Sequence, residues 1–512
     1  MKTIRFISMA GIILFCLIVT ACSSAASVAE VTPFPTATAH ENDAGGDEEA
    51  TKTPEPPTGE ATAEATPPVP EGTATPIPTI TTTPTRTRPP TATPTSLPQV
   101  NPTAALNITG SMAEGVPTPP TAIPSPVPNF ELPQGTTNIL LLGKDRDADG
   151  SDSTRTDTMI IVSINQETRT ASMISLPRDL YVYLPNRIMS RLNTAVTLGG
   201  VELLEQAILY NFGIPIHYYA QVDFDGFKQV VDVLGGVDMA VSCPLEDWRL
   251  ISPELDPTVE ANWERFKLEA GVHHMDGDLA LWFARSRLTT TDFDRGRRQQ
   301  QLLHAMLNQS VDLGLAAKVP DLWGLFGDVV ETDMDIGRIL QLATLAPAVS
   351  ENGVQHLYLA GKIRSWSVPE SGASVQLPIW EGENMMQDTF RRLFLPPALN
   401  KADRAPITVE VINASQYPAQ ALLAADTLAW YGFVPIIGEA REPQDQSELT
   451  YYGDNPKGSY DWLFAWVMDK RTTDIQLVDE QSEFNYRVVI GNDYNACRPA
   501  FDAPQANLPS DS

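Results

Sequence analysis

The sequence is poor in cysteine, in positive charge and in long apolar runs. Four cysteines in 512 residues exclude a disulfide scaffold, which needs many closely spaced pairs. The 35 lysines and arginines are outnumbered by 64 aspartates and glutamates, giving a net charge of −29. This balance argues against nucleic acid as the main partner, because phosphate backbones require a basic surface. The apolar run at residues 7–19 is too short to span a bilayer comfortably.

That apolar run has the features of an export signal. Lys2 and Arg5 precede it, and Cys22 follows small residues at its end. The pattern resembles the lipobox of bacterial lipoproteins, in which Cys22 would become the diacylated first residue of the mature chain. An ordinary cleaved signal peptide and an uncleaved anchor helix remain alternatives. We expect residues 1–22 to form a lipoprotein-type signal, with cleavage before Cys22, and the protein to be lipid-anchored through Cys22 on the extracytoplasmic face of the cell membrane.

Residues 23–130 are predicted to form a disordered linker. Many of the 43 prolines lie there, among threonines and few large apolar residues. Such a segment buries too little apolar surface to offset the entropy of ordering. We interpret it as a semi-rigid spacer between the membrane and the folded part.

Residues 131–398 alternate between strand and helix patterns. Short apolar runs predict strands, and longer runs with helical spacing predict helices. The strands are expected at 138–143, 158–164, 170–176, 217–222 and 237–241, and the helices at 201–212, 224–234, 276–285 and 295–313. This order predicts an α/β sandwich with a central sheet.

A smaller α/β domain is predicted at residues 405–497, followed by a tail at 498–512. Strands are expected at 407–412, 433–437 and 486–490, and helices at 419–430 and 461–468. Cys243 and Cys497 lie in different predicted domains, and the sequence does not show whether they are close enough to pair.

Acidic and basic residues follow the predicted strands of the larger domain. Asp145 and Asp157 flank one loop, and two carboxylates completed by water and phosphate oxygens suit Mg²⁺; solvated loop acids are the alternative. Arg178 and Asp179 end a strand, as either a phosphate-binding fork or a surface ion pair. Five arginines fall within residues 285–298. In so acidic a chain, this density favours a pyrophosphate site over a basic surface.

The ordered motifs LLGKD, RTDT, SLPRD, RLNTA, VDFDGF, VDVLGGV, DGDLALWFARSR and DFDRGRRQQ resemble the LytR-CpsA-Psr family over residues 136–315, with a weaker tail to 398. The segments VEVINAS at 409–415 and VVIGND at 488–493 resemble the LytR C-terminal domain. The resemblance implies an α/β/α sandwich with a central mixed sheet and an apolar pocket for a polyprenyl chain. It also implies an extracytoplasmic phosphotransferase that moves a glycopolymer from a polyprenyl-pyrophosphate carrier to peptidoglycan through a phosphodiester bond.

The same resemblance implies roles for individual residues. Asp145 and Asp157 match acids that bind Mg²⁺, while the residues that match pyrophosphate-binding positions are Arg155, Arg178, Arg285, Arg287, Arg295 and Gln299. Arg178 is counted among the catalytic residues, and either Asp157 or Asp179 would orient or deprotonate the acceptor hydroxyl. Helical residues 201–210 and 224–234 are candidate walls for the lipid, or plain core.

Two other functions fit the same residues. A pyrophosphatase would hydrolyse the carrier without an acceptor. A non-catalytic protein of the cell envelope, of the attenuator type, would only bind it. Formation of a covalent conjugate with peptidoglycan separates the transferase from both.

Overall fold

The computed structural model describes residues 123–498, apart from 147–151, 253, 315–328, 370, 381–385, 403–404 and 454–459, and it describes no side chains at 145–146 or 152–155. The predicted signal, Cys22, most of the linker and most of the tail therefore lie outside the described residues. Within them, no helix combines the length and apolar character needed to cross a membrane.

The larger domain contains the predicted strands and helices together with further ones that the apolar patterns did not predict. The strands are β1 (Thr136–Arg146), β2 (Asp152–Asn165), β3 (Thr170–Ser175), β4 (Tyr181–Tyr183), β5 (Met189–Arg191), β6 (Tyr218–Val222), β7 (Val237–Val241), β8 (Leu245–Leu250), β9 (Trp263–Leu268), β10 (Gly271–Met275), β11 (Val330–Thr332), β12 (Val354–Leu357), β13 (Ile363–Ser367) and β14 (Ser374–Pro378). The helices are α1 (Thr194–Phe212), α2 (Phe224–Val233), α3 (Gly277–Arg285), α4 (Asp292–Asp312), α5 (Ile336–Ala343), α6 (Ala346–Asn352) and α7 (Met386–Arg392).

A six-stranded mixed sheet forms the centre of this domain, in the order β11-β6-β1-β2-β3-β12. Strands β1, β2 and β3 pair antiparallel, whereas β6 joins β1 and β12 joins β3 in parallel. Successive side chains of a strand point to opposite faces. In β2, Ile160 and Val162 accordingly pack on one face, and Met159 and Ile161 on the other.

Each face of the sheet is covered by helices, so the predicted α/β/α sandwich is confirmed. Helices α2 to α6 contribute residues such as Val231, Phe283 and Leu302 to one core. Helices α1 and α7 contribute residues such as Leu204 and Phe390 to the other. Both cores consist of fully buried apolar side chains, whose burial is the main force favouring the fold.

Local capping places α4 three residues earlier than predicted. The hydroxyl of Thr291 accepts a hydrogen bond from the backbone N–H of Asp294 at 3.2 Å, and the Asp294 carboxylate accepts one from the N–H of Thr291 at 3.1 Å. This reciprocal capping box satisfies two helix-end donors. The helix therefore begins at Asp292 and brings Asp292 and Arg295 onto its first turn.

The end of the predicted linker is ordered, which corrects its boundary at residue 130. The N–H of Val127 donates to the carbonyl of Tyr210 at 2.9 Å, and the ring of Phe130 packs against Phe394 with centroids 5.3 Å apart. Two large apolar side chains among the prolines give this stretch surface to bury, which the preceding proline- and threonine-rich residues have little of.

The C-terminal region has a sheet and a core of its own. Its strands are β15 (Thr408–Asn413), β16 (Val434–Ile437), β17 (Glu448–Tyr452), β18 (Ile475–Val478) and β19 (Tyr486–Ile490), and its helices are α8 (Gln420–Trp430) and α9 (Asp461–Val467). The sheet order is β16-β15-β19-β17-β18. Buried residues such as Val411, Phe464 and Val488 form the core.

A disulfide joins the C-terminal region to the larger domain, between Cys243 after β7 and Cys497 after β19. Beside it, Arg297 of α4 donates to the carbonyl of Arg498 at 2.5 Å. The pairing that the sequence left open is therefore present in the structure. It links positions 254 residues apart in sequence.

Candidate functional site

A β-bulge directs Asp157 toward Arg178 at one edge of the central sheet. Gly143 pairs with Thr158 and Lys144 with Thr156, which leaves Asp157 as an extra residue on β2. Bulges of this kind re-aim a side chain beside functional sites. The Asp157 carboxylate accepts a hydrogen bond from Arg178 Nη1 at 2.9 Å.

The charge of Arg178 is stabilised by acids on three sides. Burial lowers its pKa, but the hydrogen bond that Arg178 donates to Asp157 and the charges of Asp157, Asp179 and Asp292 more than offset that effect, so the pKa lies above its ordinary value. Asp179 also lies 3.3 Å from Arg191 Nε. The Asp179 carboxylate, which is also 3.5 Å from Arg178 Nε, is thus shared by two arginines.

Two further arginines converge on this pair from α4 and from the loop before it. Arg295 Nη2 lies 3.5 Å from the Asp292 carboxylate, and Arg287 Nη1 lies 3.4 Å from the same oxygen. Arg295 is 9% exposed. Burial lowers the pKa of Arg295, as do the positive charges of Arg287 and Arg178, whereas Asp292 and Asp157 raise it. Residues from three distant stretches of the chain therefore act on one guanidinium.

Arg298 supports the loop that carries these groups. It is buried, and its guanidinium donates to the carbonyls of Phe283 at 2.9 Å and of Ser286, and to the Thr290 hydroxyl at 3.2 Å. These bonds tie the end of α3 to the start of α4. The resemblance gave Arg298 no role. In the structure it holds the turn that joins Arg285 and Arg287 to Arg295.

An apolar cavity of about 90 Å³ adjoins the arginines on the face covered by α2 to α6. Its walls include Leu141 and Ile160 of the sheet and Phe227 of α2. Its polar lining residues are Thr158, Asp223, Arg285 and Gln299. Of the two predicted lipid walls, helix α2 lines this cavity. Residues 201–210 pack in the core on the opposite face of the sheet, which is the plain-core alternative of the prediction.

Arg285 and Gln299 are placed at the boundary between the cavity and the charged groups. The Arg285 guanidinium lies 4.0 Å from the ring centroid of Phe224, a favourable cation–π contact. Gln299 Nε2 donates to the Thr158 hydroxyl at 3.0 Å and to the carbonyl of Ala284 at 3.2 Å. Residue 285 is exposed and Gln299 is half-buried.

The structure brings together all the predicted site residues whose side chains it describes. Asp145 and Arg155 lie in β1 and β2 with their side chains outside the described part. Sequence reasoning assigned no role to Asp292 or Arg191. Among the described side chains, Arg178, Arg191, Arg285, Arg287 and Arg295 lie around Asp157, Asp179 and Asp292, and Asp223, Asp247 and Asp278 line the adjoining openings. A group of guanidinium side chains of this kind suits an anionic group.

The described side chains of the site offer a divalent cation carboxylate oxygens as ligands. Asp157 supplies a hard carboxylate oxygen, and the described residues contain no group of three or more His, Cys, Asp or Glu able to hold a metal. This set is compatible with Mg²⁺, which uses one or two carboxylates together with substrate phosphates and water. It provides no zinc-type cage.

The fold and site define a class, namely an α/β/α protein that gathers arginines and carboxylates at one edge of its central sheet beside an apolar cavity. The LytR-CpsA-Psr family model matches residues 103–388. That match covers more than half of the chain, and the protein belongs to this family.

Relatives within the family carry both enzymatic and regulatory names. The polyisoprenyl-teichoic acid–peptidoglycan teichoic acid transferase TagU of Oceanobacillus iheyensis is 33% identical over 40% of this chain and 62% of its own length. The regulatory protein MsrR of Staphylococcus aureus is 32% identical over 40% of this chain and 59% of its own. The chain thus spans less than two thirds of these relatives. The crystal structure of B. subtilis TagV aligns with a TM-score of 0.42 and 24% identity, over 54% of this chain and 100% of that one.

Proposed function

We propose that this protein transfers a glycopolymer from a polyprenyl-pyrophosphate carrier to peptidoglycan. The observation that carries the proposal is the junction at Arg285, where an arginine cluster meets an apolar cavity. A substrate with a pyrophosphate attached to a hydrocarbon chain presents these two chemistries side by side. The name of the Oceanobacillus relative, a polyisoprenyl-teichoic acid transferase, supports the same substrate class.

The reaction exchanges one phosphate bond for another. An acceptor hydroxyl on the glycan attacks the phosphorus on the sugar side of the pyrophosphate, and the bridging P–O bond breaks. Polyprenyl monophosphate leaves, and the polymer becomes attached to peptidoglycan through a phosphodiester. Negative charge spreads over the phosphoryl oxygens in such a transfer, so positioning and neutralisation supply most of the catalysis. Arg178, Arg287 and Arg295 hold fixed positive charge where those oxygens would lie.

Asp157 is assigned to the acceptor hydroxyl and to a bound Mg²⁺. Its carboxylate oxygen Oδ2 pairs with Arg178. Asp145 and Asp157 are the residues that would hold Mg²⁺, which would supply Lewis-acid neutralisation of phosphate charge. Asp157 would accept the proton of the hydroxyl, which general-base groups must reach directly or through one water.

The cavity volume limits how the lipid is accommodated. At about 90 Å³ it has room for only a short part of a polyprenyl chain, since drug-sized ligands occupy about 300–1,000 Å³. We expect the chain to enter between α2 and the sheet, with Phe224 and Phe227 moving apart. The backbone at Gly226 is already closely packed, because a Cβ on it would lie 2.2 Å from Val329 Cγ1. Helix α2 therefore has no free space on that side.

We also propose that the folded part works outside the cytoplasm. Structural disulfides persist in oxidising compartments and are rare in the cytosol, which supports export of a chain with the Cys243–Cys497 bridge. The lipid anchor at Cys22 and the identity of the C-terminal region as a LytR C-terminal domain are parts of the same proposal. Mass spectrometry of the mature N-terminus tests the anchor, which is excluded if residue 22 carries no acyl chain.

The transferase proposal is tested by reconstitution. Purified full-length protein, Mg²⁺, a lipid-linked glycopolymer and peptidoglycan should yield a covalent conjugate and polyprenyl monophosphate in equal amounts. Arg178→Ala should lower the rate by about 10²–10³-fold, the range seen when one charge-stabilising donor is removed. Arg391→Ala is the matched control, because Arg391 is an exposed arginine of α7 away from the site.

The products decide between the candidate functions. Release of polymer phosphate without a conjugate, undiminished when peptidoglycan is omitted, would make the protein a pyrophosphatase. Carrier binding without either product would make it a binding protein. Equal rates for Arg178→Ala and Arg391→Ala would contradict the site itself.

A further inference from the structure

A second, larger opening lies on the other side of Arg285 from the apolar cavity. This groove has a volume of about 930 Å³ and runs between helix α3, the β8–β9 hairpin and the loop before α4. Its lining includes Trp248, Arg249, Trp263, Arg285, Arg287 and Asp292. Arg285 lines both openings, so the groove and the cavity meet at the pyrophosphate-binding residues.

The hairpin that forms one wall is tied directly to the arginine loop. The Asp247 carboxylate accepts hydrogen bonds from the backbone N–H groups of Arg287 at 2.7 Å and Leu288 at 3.1 Å. Trp282 of α3 donates through Nε1 to the carbonyl of Trp248 at 3.0 Å. The groove wall is therefore held in a fixed position relative to Arg287, one of the residues that would bind phosphate.

The groove combines an aromatic surface with charged groups. Trp248 is 50% exposed, although large aromatic side chains normally bury most of their surface. The Arg265 guanidinium lies 5.5 Å from the Trp248 ring centroid across the hairpin, and the Arg249 guanidinium lies 4.7 Å from the ring centroid of Phe266. The apolar faces of sugar rings stack on indoles, while their hydroxyl, acetamido and carboxylate groups bond to charged side chains.

These features select among possible occupants. A polyprenyl chain would remove water from the charged side chains of Arg249 and Asp278, which line the groove, and this is costly. The volume, at the upper end of that typical for ligand sites, accommodates more than one sugar ring. Any hydroxyl bound here would be delivered beside Arg285 and Arg287, where the phosphoryl group is transferred.

We infer that the groove binds the glycan strand of the peptidoglycan acceptor, with Trp248 as its stacking surface. The inference rests on the proposed transfer and identifies where its second substrate lies. The donor lipid occupies the cavity on one side of Arg285, and the acceptor glycan occupies the groove on the other. Trp248 acts as a binding residue and takes no part in the chemistry.

Steady-state kinetics separates the two substrates. With saturating lipid-linked donor and a soluble peptidoglycan tetrasaccharide as the varied acceptor, Trp248→Ala should raise the acceptor KM roughly three- to tenfold, as expected for the loss of one aromatic stacking contact. The donor KM and kcat should stay unchanged, and Trp248→Phe should restore most of the affinity. Tyr417→Ala is the control, since Tyr417 is a similarly exposed aromatic residue in the C-terminal region.

A binding measurement keeps this test separate from the test of transfer. Calorimetric titration of the full-length protein with the same tetrasaccharide should give an affinity that falls in Trp248→Ala and not in Tyr417→Ala. This result would support the groove as a glycan site even if no conjugate ever formed. An acceptor KM and affinity unchanged by Trp248→Ala would overturn the inference, as would a rise confined to the donor KM.

Discussion

Titratable groups are concentrated in two regions of this protein, and their surroundings differ. At the edge of the central sheet, Arg178 and Arg295 lie among carboxylates and other arginines. At the junction with the C-terminal region, His304, His356 and Trp430 stack together, with the rings of His356 and Trp430 3.3 Å apart. Asp426 lies beside them in a cavity of about 240 Å³.

The pKa shifts of the two regions have different consequences. Burial lowers the pKa of His304 to about 4 and raises that of Asp426 to about 7, so each shift favours the neutral form. At the sheet edge, neighbouring acids raise the pKa of Arg178 and keep it charged. The junction thus removes charge to allow packing, while the site preserves charge that an anionic substrate can use.

The largest expected effect is loss of activity without loss of stability when a site charge is removed. Arg295→Gln should lower the transfer rate by about 10²–10³-fold. Its melting temperature should stay close to that of the parent protein, because a buried arginine beside other positive charges contributes little net stability. Reconstituted transfer and calorimetry measure the two quantities. Parallel losses of activity and stability would mean that Arg295 stabilises the fold. The site and the junction would then not differ in the way proposed.

The junction should show the opposite behaviour when its covalent link is removed. Cys243→Ser combined with Cys497→Ser should lower the free energy of unfolding by about 2–4 kcal/mol, because the link joins distant parts of the chain. Transfer at moderate temperature should be nearly unchanged. Calorimetry of the parent protein with and without a thiol reductant provides the control, since reduction should reproduce the double variant. Identical melting curves throughout would show that the bridge is dispensable for stability.

Local patterns predicted much of the sheet and its helices, because each strand and helix is specified by its own apolar residues. The β8–β9 hairpin was missed because charged residues such as Arg249 and Glu264 interrupt its alternation, and its pairing depends on contacts with α3. The stack of His356 on Trp430 involves residues far apart in sequence. Neither periodicity nor spacing carries that information, and the same applies to the role of Asp292 between Arg287 and Arg295.

A pH titration sharpens the description of the junction. Asp426 has a pKa of about 7 in the folded state and 3.8 as its ordinary value. The folded state therefore holds more protons between these values, and the stability that this group contributes is full below pH 3.8 and is lost as the pH rises toward 7. His304 works in the other direction, since its lowered pKa removes stability as the pH falls from 6.5 toward 4.

Asp426→Asn should abolish the loss of stability that occurs as the pH rises toward 7. Because Asp426 borders a cavity, we expect a gain of about 2 kcal/mol at pH 8, below the full value that the pKa shift implies. Urea unfolding at pH 5 and pH 8 measures it, and the variant should differ from the parent mainly at pH 8. The exposed Asp388→Asn serves as control. A gain of equal size at both pH values would show that ionisation of Asp426 is not responsible.

The smallest expected effect concerns an acid inside the site. Asp292 lies within 3.5 Å of both Arg287 and Arg295 and is about half exposed, so its charge competes with a bound phosphate for the same guanidinium groups. Asp292→Asn should leave those arginines in place, because the Thr291–Asp294 capping box still begins the helix. Ion pairs at such exposure are worth about 0.2–1 kcal/mol, so the donor KM should fall only about two- to threefold. A higher donor KM would instead mean that Asp292 orients Arg287 and Arg295. The site would then resemble the junction, because contacts among its own residues would hold it in place in the absence of substrate.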